Sequence, residues 1–230
     1  MSKHDYILAR QQMRQFLKDT GVSHSMFYGP TSDEYWLASL RVLAVNMEPY
    51  GYEDCGFVEV DWPCLRDWMY DAGSTKTKTV RYTLAIMRTL IDTCANGTVP
   101  TGDYLRMAYS EAPELEAIAQ RVVYYNIRPT SNANKEQNFA SIVASGSSTI
   151  ADFTRREMAA LEPHIILVSG HAGLAAFNAM WQLSPALRFR EGRHHSNGSF
   201  IQSIKHPSRP NYNEYASTIA DIVRLIRPAV

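Results

Sequence analysis

Ile165-Ile166-Leu167-Val168-Ser169-Gly170-His171 is the stretch that decides the fold. Four consecutive apolar, β-prone residues suit a strand buried on both faces and are too few for a helix. Ser169-Gly170 then turns the chain into an apolar helix that runs through Trp181. The same kind of run recurs three times, at Leu40–Val45 (LRVLAV), Arg121–Tyr125 (RVVYY) and Phe200–Ile204 (FIQSI). Helical patterns separate these runs. Residues 5–18 read as an amphipathic helix, and Val80, Leu84, Met87, Ile91 and Cys94 mark a helix face that ends before Asn96-Gly97. Ser148–Leu161 reads as a helix stopped by Pro163, and Tyr215, Ile219, Ile222, Val223 and Ile226 form the face of a last one. Strands separated by helices imply parallel crossovers. The expected fold is α/β: one domain over residues 1–230, three-layer α/β/α, with a central, mostly parallel four-stranded sheet.

Composition narrows the class. Of 230 residues, 45% are hydrophobic and 20% charged, enough to bury a core, which excludes disorder, coiled coil and collagen. No run of 18 apolar residues exists and the N-terminal segment is too polar for a signal-peptide core, so a soluble, cytoplasmic protein is expected. Three cysteines without CxxC spacing (Cys55, Cys64, Cys94) imply unbridged thiols and argue against a four-cysteine metal or iron–sulfur site. Lys+Arg equals Asp+Glu, yet the charge is unevenly spread. Residues 31–73 hold nine acids against two bases, and residues 186–209 five bases against one acid, with three histidines besides. Taken alone, either cluster is an ordinary solvated face.

In an open parallel sheet the ligand crevice lies beyond the carboxyl ends of the strands. After LRVLAV comes Asn46-Met47-Glu48-Pro49-Tyr50-Gly51, and after RVVYY comes Asn126-Ile127-Arg128-Pro129. After IILV comes Ser169-Gly170-His171, and after FIQSI comes Lys205-His206-Pro207-Ser208. Glu48, Asn126, His171 and His206 should therefore converge on one edge. His171, between Gly170 and Gly173 at a helix start, is also placed to meet an anion.

These residues carry a family resemblance. NMEPYG (46–51) is similar to a blend of two forms of the first motif of the uracil-DNA glycosylase superfamily, GQDPYH and GMNPGP. VVYYNIRP (122–129) resembles the V-H-N-x-C-P strand end of its single-strand-selective monofunctional branch, and LRDWM (65–69) a V-R-D-W-L stretch of that branch. ALEPHII (160–166) resembles the lead-in to the strand before the second motif, and KHPSRPN (205–211) resembles that motif, HPSP. The matches run in order from about residue 40 to 212.

The resemblance implies an enzyme that breaks the glycosidic bond of uracil, or a related base, in DNA for base-excision repair, with no metal and no cofactor. Such cleavage passes through an oxocarbenium-like sugar and releases a base anion. Glu48 then occupies the water-positioning slot, filled in relatives by aspartate or asparagine. His206 faces the base carbonyl where charge develops. Asn126 offers the donor and acceptor that read a pyrimidine imide edge. Tyr50 would block the 5-position, Phe57 would stack on the flipped base, and Met47 would line the wall. Lys205, His171, Ser208 and Arg209 fall to DNA binding, with Arg209 in the gap where relatives carry an apolar wedge. The partner would be DNA presenting a flipped-out or single-stranded pyrimidine, bound by a monomer without membrane contact. Glu53, Asp54, Glu59 and Asp61 crowd the first-motif loop and would repel phosphate. Together with Glu48 they leave a second reading open: a catalytically impaired module of the same fold that binds a base or single-stranded DNA.

Overall fold

Ile165–Ser169 is strand β5 of the computed structural model, which describes residues 3–22, 25–46, 56–70, 75–127, 148–207 and 211–226. All five of its residues are buried, because strands pair with it on both sides and apolar side chains cover both faces. Its neighbours are β2 (Val42–Asn46) and β7 (Phe200–Ile204), both parallel to it, and β2 pairs in parallel with β4 (Val123–Asn126). These are the four strands expected from the apolar runs. The sheet is larger by one: β6 (Gly192–His194) adds antiparallel to β7, giving the order β4-β2-β5-β7-β6. The expectation of four strands is thus corrected to a five-stranded mixed sheet. A Gly-Arg-His tripeptide has neither the length nor the apolar content that marks a strand. A separate two-stranded parallel sheet joins β1 (Ser25–Phe27) to β3 (Phe57–Glu59).

Among the described residues the helices are α1 (Lys3–Asp19), α2 (Glu34–Leu37), α3 (Trp62–Tyr70), α4 (Thr75–Asn96), α5 (Gly102–Ser110), α6 (Ala112–Ala119), α7 (Ser148–Ala160), α8 (Gly170–Trp181) and α9 (Tyr212–Ile226). Their starts are chemically marked. Asp61 accepts from the Cys64 amide at 2.9 Å ahead of α3, and Thr101 accepts from the Tyr104 amide at 3.1 Å ahead of α5. Asn211 accepts from the Glu214 amide at 3.2 Å and its own amide donates back to the Glu214 carboxylate, fixing the start of α9.

Side-chain alternation splits the core in two. Val42, Ala44, Ile165, Leu167, Phe200 and Ile204 pack on one face with Leu84 and Met87 of α4 and Tyr215 and Ile219 of α9. Leu43, Val45, Val123, Tyr125, Ile166, Val168 and Ile201 pack on the other with Met158 of α7 and Phe177 of α8. The chain leaves β2 for β4 on one side of the sheet order and β5 for β7 on the other. The order therefore reverses between β2 and β5, the place where doubly wound sheets open a ligand crevice. No helix among the described residues is long and apolar enough to cross a membrane.

Candidate active site at the carboxyl edge of the sheet

Parallel pairing brings the exits of β4, β2, β5 and β7 to one edge. Asn46 stands opposite Asn126 in the register, Val45 stands opposite Val168, and Ser169 stands opposite Ile204. The last residues of three adjacent strands are therefore Asn126, Asn46 and Ser169. Each is an even number of positions from a residue packed on the α4–α9 face (Tyr124, Ala44, Leu167), so all three side chains lie on that face. Their relative exposures are 6%, 4% and 1%.

No partner meets them. Among the described residues both amide atoms of Asn46, the Asn126 Oδ1 and the Ser169 Oγ are buried without a hydrogen bond. A buried polar group left unpaired costs about 1–3 kcal/mol; such atoms also occur elsewhere in the fold, on Ser25, Tyr82, Thr154 and Ser203 among others, but here three adjacent strands end in them side by side. The row flanks the reversal between β2 and β5. A ligand or ordered water that pairs with these atoms recovers that cost.

His206 joins the same edge from β7. Gly170, the first residue of α8, has φ +70, the left-handed region that favours glycine, and a Cβ there would meet the His206 Cβ at 3.1 Å. Both the sharp strand-to-helix turn and the close approach of His206 thus require glycine. Tyr215 donates to the Lys205 carbonyl at 2.9 Å and fixes the backbone that carries His206. The imidazole is exposed at its rim yet crowded enough that burial lowers its pKa from the ordinary histidine value. Burial there favours the neutral imidazole. His171, one residue into α8, is exposed and stacks on Phe189 with ring centroids 4.2 Å apart.

The other candidates divide. Met47, Glu48, Tyr50, Ser208 and Arg209 lie outside the described residues, as do Glu53 and Asp54 of the acidic loop. Phe57 is on β3 and is not in the carboxyl-edge row: its ring lies 6.3 Å from that of Phe27, among the cluster of Met13 and Leu17, with the Lys18 ammonium over it. Glu59 is engaged by Arg10 and Arg14, each at 2.9 Å, and Asp61 by the start of α3, so half of the acidic group has structural partners. The basic segment is tempered likewise, since Lys205 and Arg190 both reach Glu214 of α9. No group of three or more His, Cys, Asp or Glu side chains among the described residues is placed to hold a metal ion.

No family model matches the chain, and no curated protein or solved structure is similar to it. The geometry therefore carries the functional argument. Asn46 and Ser169 open two of the strand exits, but the ionisable Glu48 and His171 two residues further on draw the reading past them. The available signal is that a buried apolar run ends in a polar residue at the same depth in three adjacent strands.

Proposed function

We propose that this chain is a monofunctional N-glycosylase that hydrolyses the bond between deoxyribose and uracil, or a related base, in DNA, within a three-layer α/β/α fold of the uracil-DNA glycosylase type. The observation that supports it most is the row of Asn126, Asn46 and Ser169 at the carboxyl edge, buried and carrying side-chain polar atoms unpaired among the described residues, beside His206. A flipped pyrimidine presents an edge of acceptors and one N–H, and amide side chains are matched to it. Asn126 accepts from the base N3–H and donates to O4. Bond breaking leaves the electron pair on N1 of the base and positive charge on the sugar. His206 then donates to the developing base anion, and Glu48 offsets the sugar charge and takes the proton of the water that adds to C1′.

The decisive experiment is excision from single- and double-stranded oligonucleotides carrying one uracil, read as alkali-labile strand breaks. Breaks at the uracil position support the enzyme; no breaks at stoichiometric protein overturn it. A second reading, a module of this fold that binds a base without cleaving it, is favoured by Glu48, which carries one methylene more than the aspartate of the motif it resembles. Binding without excision, with Glu48→Asp gaining excision, selects that reading.

A further inference from the structure

We infer that Asn46 is a second base-reading residue, which with Asn126 forms an amide pair that grips both carbonyl oxygens of a pyrimidine imide. The inference rests on the base-binding reading of the carboxyl edge and adds a specificity determinant to it. Asn46 ends β2, the inner strand beside the crevice, directly in register with Asn126. It is 4% exposed and, among the described residues, neither its Nδ2 nor its Oδ1 has a hydrogen-bond partner. Side chains of residues in register on parallel strands stand about 4.8 Å apart, close enough for two amides to bond each other. These two do not, so both remain available to a third group. The leading position of the first motif is glycine in both forms quoted above, whereas here it is Asn46. Relative to that motif the side chain adds a donor and an acceptor at this position.

The chemistry of the imide sets the roles. Its edge runs O4, N3–H, O2: acceptor, donor, acceptor. Asn126 serves the first two with Nδ2 and Oδ1 and has nothing left for O2. His206 takes one lone pair of O2 and the neighbouring Asn46 Nδ2 supplies a donor for the other, and the spacing of adjacent strands is comparable with that of two carbonyls flanking one N–H. Its Oδ1 then faces Ser169, the next member of the row, whose hydroxyl is the only donor of that side chain and is also unpartnered. Base, Asn46 and Ser169 close into one chain of hydrogen bonds, each member satisfied. The alternative, an amide buried for packing alone, would be better served by an apolar residue of similar size.

The test uses the whole chain and three free bases, uracil, 2-thiouracil and 4-thiouracil, with binding measured by calorimetry or NMR. Sulfur accepts a hydrogen bond weakly, so wild-type protein should bind each thio base about three- to tenfold less tightly than uracil. Asn46→Ala should weaken uracil by a similar factor and reduce the 2-thio penalty, leaving the share due to His206, while keeping the 4-thio penalty. Asn126→Ala should do the converse. Asn46→Gly, the residue of the motif, repeats the Asn46→Ala result in a second background. A wild type indifferent to the 2-thio exchange overturns the inference, whether or not the variants fold. An unchanged 2-thio penalty in folded Asn46→Ala also overturns it, while a 4-thio penalty that needs Asn126 leaves the base-binding reading standing. Wild-type protein that binds none of the three bases and excises no uracil removes both.

Discussion

Tyr125 and Asn126 are neighbours on β4, both buried, and they meet opposite conditions. Tyr125 points to the α7–α8 face, where its hydroxyl donates to the Glu157 carboxylate at 2.6 Å. Burial first, and then the charge of Glu157, raise its pKa well above the ordinary tyrosine value, so it remains a donor at any physiological pH. Glu157 also receives Arg10 at 3.4 Å, and Arg10 in turn donates to Glu59 at 2.9 Å and to the Tyr28 carbonyl. One residue later the side chain crosses to the other face and its Oδ1 has no hydrogen-bond partner among the described residues, like the side chains of Asn46 and Ser169 beside it. Burial of polar groups alone therefore distinguishes nothing here. The pairing does: Tyr125, Glu157 and Arg10 pair with one another and hold α1 and α7 to the sheet, although Tyr6 and Arg14 beside them keep unpaired atoms, whereas the second row has no pair within it and lies at the edge where such sheets bind ligands.

The largest effect should come from breaking the paired network. Glu157→Ala strands the Tyr125 hydroxyl in the core and leaves the Arg10 guanidinium to Glu59 and the Tyr28 carbonyl, and losing one partner of a buried ion pair costs about 3–5 kcal/mol. Asn126→Ala removes an atom that had no partner and should change stability by no more than about 1 kcal/mol. Urea midpoints of the two variants read the contrast directly. Equal losses would mean that the edge amides are as structural as the ion pair, and would end their candidacy as a site. Next in size is the chemistry of the carboxyl edge. His206→Ala and Glu48→Gln should each slow uracil excision by about 10²–10³, the usual effect of removing one preorganised electrostatic group. Single-turnover rates check this, and a loss below about tenfold for His206→Ala would take that imidazole out of the leaving-group role.

The same contrast shows what a sequence discloses. The four parallel strands are legible because each is a run of apolar residues bounded by polar turns, and a strand buried on both faces has no other way to be written. β1, β3 and β6 are three residues each, too short for an apolar alternation to show; β1 and β3 also pair across a long stretch of chain, whereas β6 is a hairpin arm beside β7 whose only local mark is Asn197-Gly198. Helices α5 and α6 were equally silent: Thr101 and Pro113 mark their starts, but their apolar faces are too short for a period to show. The convergence of strand exits, and Asn126 and His206 with it, follows from topology alone. Asn46 does not, since its meaning depends on register with Asn126, and neither does the Arg10–Glu157 pair, whose members are 147 residues apart.

A smaller effect separates stability from recognition at one residue. Asn46→Ala deletes two buried polar atoms without partners, so the desolvation cost of the amide is recovered while some packing is lost. The two oppose each other at about 1 kcal/mol apiece. The unliganded variant should therefore melt close to wild type, and the difference should appear only with uracil present, where wild type gains stability from binding and the variant gains less. Thermal melts with and without excess uracil measure both. A variant that is destabilised equally in the two conditions would place Asn46 with the paired network.

The smallest effects are in pH, and they contrast the two ends of the sheet. His164, just before β5, accepts the Arg41 amide on Nδ1 at 3.0 Å, and burial first and the Arg41 charge second lower its pKa. His206, just after β7, is lowered by burial. Each folded-state pKa lies below the unfolded value of about 6.5, so the unfolded chain binds more protons as pH falls through that value, and stability declines. Above it neither group contributes a pH dependence. His164→Gln and His206→Gln should each therefore lose less stability than wild type between pH 7.5 and 5.5, as urea midpoints at the two values would show. Variants that decline in parallel with wild type would refute the shifted histidines. Uracil separates the two ends. A base held at the carboxyl edge contacts His206 and not His164, so in an NMR titration only the His206 midpoint should move when uracil is added. Movement of both, or of His164 alone, would relocate the site to another part of the sheet.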